Sequence, residues 1–243
     1  MNGADPVLTW LRDVLPAACG VSGGPIGESP EGPFPEEEAI VGRARAKRVF
    51  EFRAGRLHAR AALSQAGGAP SPILKGPRGE PLWPTGYAGS ISHSDDLAIA
   101  VAAPRAAVRA MGLDVDLASP LESDLARIVC HPEELQSARG LDVRRIDPAK
   151  RLFVAKEAFI KLYYSMTGTL LDFLEVRVFF DSLSHEYSAS LANRSLSSGA
   201  YEAGSAWGHM HWNDRTIAAI MWVRADQEMF RLRREIEGGG GGG

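Results

Sequence analysis

Two short stretches constrain this chain more than anything else in it: Gly112-Leu113-Asp114-Val115-Asp116 and Lys156-Glu157-Ala158-Phe159-Ile160-Lys161. The first is an apolar run carrying two carboxylates one residue apart. A strand alternates its faces, so Asp114 and Asp116 point one way while Leu113, Val115 and Leu117 enter a core. The second stretch reads as helix. Glu157 and Lys161, four apart, share a face, and Lys156 is turned about 100° round the axis. Taken singly, each has an ordinary explanation: a solvated strand face, and a helix-surface ion pair worth about 0.3 kcal/mol. Brought together, they set three carboxylates beside two ammonium groups. Unpaired, those carboxylates repel and raise one another's pKa. A hard divalent cation relieves the repulsion, and an all-oxygen set suits Mg²⁺ or Mn²⁺ completed by water and substrate phosphate. The residues point to a metal-dependent enzyme acting on a phosphate or pyrophosphate. A nucleotide phosphotransferase or pyrophosphatase fits the same cluster.

The chain has 243 residues, 45% hydrophobic and 23% charged, which is ordinary for one or two compact domains with a core of their own. A net charge of −3 disfavours wholesale nucleic-acid binding. A local basic region does exist: Arg43, Arg45, Lys47 and Arg48, then a stripe of Arg53, Arg56 and Arg60. Either a polyanion or plain solvation of snorkelling side chains can satisfy it. The cysteines, Cys19 and Cys130, are too far apart to form a disulfide framework and fit a reducing cytoplasm. Met1–Pro16 lacks the features of a signal peptide, and no apolar run approaches the roughly 20 residues of a membrane span. Gly238–Gly243 reads as a linker-like tail outside the fold.

Periodicity predicts a short helix over 7–15, a loop over 20–35 and one long helix from Pro35 to about Gln65 with Phe50, Ala54, Leu57 and Ala61 inward. Short strands and turns follow over 72–84, strands over 87–94, 97–102 and 106–117, and helices over 120–130 and from His131. The main helix of the second half covers 147–164. Its apolar residues Leu152, Phe153, Ala155, Phe159, Ile160 and Tyr163 surround much of the axis, which pushes Lys156, Glu157 and Lys161 towards a polar cleft. Strands close the chain over 173–180, 187–191, 206–212 and 216–223, with a hairpin turn at 213–215. His209 and His211 alternate on one strand face without a third ligand, so a solvent-facing or packing role is expected. Helices precede strands in both halves, an α+β chain of two lobes: 1–110, then 111–237, with the tail 238–243 beyond.

In order along the chain stand Ala46-Lys47-Arg48 with Phe52 and Arg56; Ile73-Leu74-Lys75-Gly76 with Gly79-Glu80-Pro81 and Trp83-Pro84; Gly89-Ser90-Ile91-Ser92-His93; Gly112 to Asp116; and Phe153-Val154-Ala155-Lys156-Glu157-Ala158 with Lys161. In these five pieces the chain resembles the 4′-phosphopantetheinyl transferases, in particular the monomeric bacterial type of the actinobacterial branch that serves siderophore, polyketide, nonribosomal peptide and fatty-acid synthases. The resemblance implies two similar α/β lobes related by a pseudo-twofold axis, with coenzyme A in the cleft between them. It implies that Arg48, Arg56, Lys75, Ser92 and His93 hold coenzyme A, His93 at the 3′-phosphate. Asp114, Asp116 and Glu157 bind Mg²⁺ or Mn²⁺, Lys156 and Lys161 contact the pyrophosphate, and Glu157 takes the proton of a carrier-protein serine. It further implies a cytoplasmic monomer whose partners are apo carrier domains, with no nucleic acid and no membrane. Phe153 stands where the family often has Trp. Asp116 stands where it commonly has Glu, and the shorter arm makes it the weakest of the three ligands.

Overall fold

The structure, a computed structural model, describes residues 5–28, 32, 34–139, 146–181, 185–192 and 205–227. The glycine tail lies outside them. Helix α1 (Pro6–Val14) is capped by Asp5, whose carboxylate accepts from the Val7 N–H. Strand β1 (Gly20–Pro25) follows, then α2 (Pro35–Val41), α3 (Ala46–Gln65), β2 (Leu74–Lys75), β3 (Pro81–Leu82), β4 (Tyr87–His93) and β5 (Leu97–Pro104). The second half runs β6 (Val108–Leu117), α4 (Ser123–Val129), α5 (Pro132–Arg139), α6 (Pro148–Thr167), a 3₁₀ turn (Phe173–Glu175), β7 (Val176–Phe180), β8 (Glu186–Leu191), β9 (Ser205–Trp212) and β10 (Thr216–Arg224). Two antiparallel sheets result, β1-β5-β4 and β6-β10-β9-β8-β7, with β2 and β3 pairing separately. Helix α3 packs on the first sheet and α6 on the second.

Three expectations are corrected. Residues 20–25 are an edge strand on β5, not loop. Its sequence, Gly-Val-Ser-Gly-Gly-Pro, lacks the large side chains that signal a strand. Small residues are needed there because a Cβ on Gly20 would sit 1.9 Å from the Ala62 carbonyl oxygen of α3. The single long helix is broken at residues 42–45. In one straight helix Glu38 and Arg53 would stand roughly 22 Å apart, and Glu37 and Arg60 roughly 35 Å, at 1.5 Å per residue. The break folds α2 back so that Arg53 donates to Glu38 and Arg60 to Glu37. Two arginines of the basic stripe of α3, Arg53 and Arg60, are therefore met from within the chain. Last, α3 turns Phe52, Ala54, Gly55, Arg56, Ala59, Ala62 and Leu63 inward; of the expected face Ala54 is buried, Phe50 and Ala61 are half-buried and Leu57 is exposed.

The core has three parts. One lies under α3, and one surrounds α6 and the second sheet. The third is shared: Val7, Leu8 and Leu11 of α1 and Ile99 and Val101 of β5 pack with Leu113 and Val115 of β6 and Ala218 and Ile220 of β10. The lobes meet where β4 and β6, each an edge strand, run side by side. Ser90 and Ser92 of β4 do the work that a neighbouring backbone would do. Their buried hydroxyl oxygens accept the Leu113 and Val115 N–H groups, which would otherwise be orphaned donors.

Candidate active site

Strand β6 behaves as its alternation requires. Leu113 and Val115 enter the shared core, and the opposite face, with Gly112, lies against α6. Gly112 cannot carry a side chain, since a Cβ there would lie 2.0 Å from the Ala158 carbonyl oxygen. This close approach brings Asp114 to Lys161. The Lys161 ammonium donates to Asp114 Oδ1 at 2.6 Å and to the Leu113 carbonyl at 3.0 Å. Ser92 Oγ donates to the same Asp114 oxygen at 2.8 Å and lies 3.3 Å from Lys161 Nζ. Lys161 thus pairs across to β6 and not along its own helix with Glu157.

Glu157 makes no hydrogen bond or ion pair among the described residues. Its carboxyl is pushed up from the ordinary value, first by burial and then by the charges of Asp114 and Asp116, with Lys161 opposing. It lines, with Lys161, a cavity of about 790 Å³ between the lobes. The other walls are Arg78 to Trp83, Ala88 to Ile91, and Ile160, Tyr164 and Leu170 to Phe173. The Tyr164 hydroxyl donates to Glu80 across the cavity, at 3.2 Å.

Asp116 Oδ1 accepts from the Leu117 N–H at 2.8 Å, and Oδ2 accepts from Lys150 Nζ at 2.5 Å. Lys150 was not among the sequence candidates. The signal was there: it precedes Glu157 by seven residues, two helical turns on the same face. Glu51 was missed too. Arg48 Nη1 donates to Glu51 at 3.2 Å and lies 3.2 Å from His93 Nε2, a half-exposed cluster at the end of β4. Lys75, on β2, is exposed.

Two expected positions are corrected. Lys156 does not face the cleft. Its ammonium is fully buried and donates to Glu134 Oε2 (2.8 Å) and to the carbonyls of Val129 (2.8 Å) and Phe173 (3.1 Å). Being turned about 100° from Glu157 points it into the second lobe, where Glu134 also accepts the His131 and Val178 N–H groups. Arg56 is buried under α3. Its Nε and Nη2 donate to the Ile73 and Leu74 carbonyls, and its guanidinium lies 4.3 Å over the Phe52 ring. His209 and His211 stack on Trp222 and Trp10, a packing role as expected.

No group of three His, Cys, Asp or Glu side chains among the described residues stands ready-made as a metal site. The donor chemistry nevertheless fits a hard dication. Three carboxylates within electrostatic reach of one another are all oxygen, and ammonium groups occupy two of them.

Residues 36–103 match the 4′-phosphopantetheinyl transferase N-terminal domain, and residues 110–219 match the 4′-phosphopantetheinyl transferase superfamily. The chain is 36% identical to the 4′-phosphopantetheinyl transferase PptT of Mycobacterium tuberculosis over 177 residues, 71% of this chain and 76% of that one. The chain belongs to the 4′-phosphopantetheinyl transferases. It is an enzyme of the transferase class with that family's α+β fold. It is similar also to the transferase Svp of Streptomyces mobaraensis, 39% identical over 160 residues and 65% of each chain, just under two thirds of that relative. The transferase Npt of Nocardia iowensis is 32% identical over 70% of this chain and 77% of its own. Among the described residues of this transferase no helix is long and apolar enough to cross a membrane.

Proposed function

We propose that this transferase moves the 4′-phosphopantetheine group of coenzyme A to a serine of an apo acyl or peptidyl carrier protein, releasing adenosine 3′,5′-bisphosphate, with Mg²⁺ or Mn²⁺ required. One observation carries the reading: an unpartnered Glu157 carboxylate lines an interlobe cavity beside Lys161, within the field of Asp114 and Asp116. Asp114, Asp116 and Glu157 are the residues that would hold the dication. When bound, it supplies charge neutralisation at the diphosphate. Glu157 accepts the serine proton as the serine oxygen bonds to the β-phosphorus and the bond to the α-phosphate bridge breaks. Lys161 faces the charge that develops on the phosphate oxygens. Arg48, Lys75 and His93 hold the phosphates of coenzyme A farther out. Arg56 supports them by fixing the backbone that leads into Lys75, and Ser92 by orienting Asp114. Lys156 braces the Phe173 end of the cavity wall from behind. One chain contains both walls of the cavity, so a monomer suffices.

The test is mass spectrometry of an apo carrier protein incubated with coenzyme A, the transferase and Mg²⁺. A mass gain of one phosphopantetheine, lost when the metal is chelated, is expected. Turnover of nucleotides without a carrier, and no gain in carrier mass, would replace this reading with that of a phosphotransferase or pyrophosphatase.

A further inference from the structure

Two ammonium groups neutralise the acidic cluster, and of these only Lys161 belongs to the Lys156–Lys161 stretch. The other, Lys150, sits in the first turn of α6, where its backbone N–H donates to the capping Asp147. Its side chain is nearly fully buried, with Nζ 5.6 Å from the centre of the Phe153 ring and 2.5 Å from Asp116 Oδ2. Asp116 Oδ1 is taken by the Leu117 N–H, so both oxygens of this carboxylate are already engaged. Lys161 differs. It reaches a backbone carbonyl and Ser92 besides Asp114, and it lines the cavity where an anionic substrate can draw it away. Lys150 is held by its packing and meets Asp116.

We propose that Lys150 is a positioning residue that sets the divalent-ion affinity of this cluster by occupying Asp116. The inference rests on the metal reading above. An incoming dication competes with the Lys150 ammonium for Oδ2 and meets repulsion from a fixed, buried positive charge that salt screens little. Three carboxylates and two ammonium groups leave one negative charge. A dication turns that into one positive charge, which the diphosphate of the substrate then offsets. Lys150 therefore makes the free enzyme a poor metal binder and couples metal loading to substrate. By linkage, the metal strengthens substrate binding by the same factor.

Titration of the full-length protein with Mn²⁺, following free Mn²⁺ by electron paramagnetic resonance, reads this without any turnover. Lys150→Met keeps the packed stem and removes the charge. In the absence of coenzyme A it is expected to bind Mn²⁺ about tenfold more tightly than the wild type, a difference of ~1.4 kcal/mol. Lys150→Arg should bind as the wild type does, and the gap between Lys150→Met and wild type should narrow when coenzyme A is added. Lys150→Gln carries the same expectation as Lys150→Met should the methionine variant not fold. Unchanged or weaker Mn²⁺ binding by a variant that melts as the wild type does overturns the inference and leaves the metal reading intact. Failure of the wild type to bind Mn²⁺ even with coenzyme A present overturns both.

Discussion

Glu37 in the N-terminal lobe and Glu134 in the C-terminal lobe hold matching posts. Each is a buried glutamate on a short helix ahead of a 20-residue helix. Each accepts one backbone N–H from an extended segment, Ile73 or Val178, and one cation from the long helix, Arg60 or Lys156. The lobes then diverge. In the first, the second arginine, Arg53, is taken by Glu38 of the same α2 helix, so the acids of α2 serve the fold. In the second, Asp114, Asp116 and Glu157 outnumber the lysines that face them, and Glu157 is left over at the cavity. Charge that balances builds structure; the imbalance marks where chemistry can be done.

The comparison is broken most severely by substituting the two kinds of glutamate. Glu157→Gln should lower carrier-protein transfer by roughly 10²- to 10⁴-fold, the usual worth of a general base, with a melting temperature no lower than that of the wild type. Full activity in that variant would dissolve the contrast. Lys156→Met strands the buried Glu134 charge and should cost about 3–5 kcal/mol in urea unfolding. If it melts normally but no longer transfers, the Lys156 ammonium meets substrate and the structural assignment fails. Glu37→Gln, which weakens the hold on Arg60, should cost about 1–3 kcal/mol while leaving kcat per folded molecule intact. The smallest effect is a pH dependence in chelator. The raised carboxyl of Glu157 keeps its proton in the native state at pH values where the unfolded chain has lost it. Stability from this group is therefore full below the ordinary value of 4.5 and falls as pH rises through the raised one. Thermal melts from acid to neutral pH should show that decline in the wild type and not in Glu157→Gln. Parallel curves would remove the carboxylate repulsion from the account.

Local pattern carried far where one side chain reports on one face. Alternation put Asp114 and Asp116 together, and the apolar circumference of α6 announced its burial. What escaped depends on partners distant in sequence. Lys156 could not be assigned from its own helix because Glu134 lies 22 residues earlier and the carbonyl of Phe173 lies 17 later. Strand β1 could not be read because Gly20 and Gly23 are small to admit α3 and α1, which erases the side-chain signal. The break between α2 and α3 was visible only as Gly42, and its reason, the return of Glu37 and Glu38 to the arginines, is tertiary. Lys150 is legible by helical spacing, yet nothing about one more lysine at a helix start asks for a partner.

The apolar slab shared by α1, β5, β6 and β10 has a consequence for anyone dividing this gene. Among the described residues, cutting near residue 106 would sever no sheet, since each ladder lies wholly on one side. Yet each fragment would then present half of a greasy plane to water, Ile99 and Val101 on one, Leu113, Val115 and Ile220 on the other. Produced apart, the fragments should aggregate. Produced in the same cell, they should recombine into a working split enzyme, with the two serines of β4 closing the join.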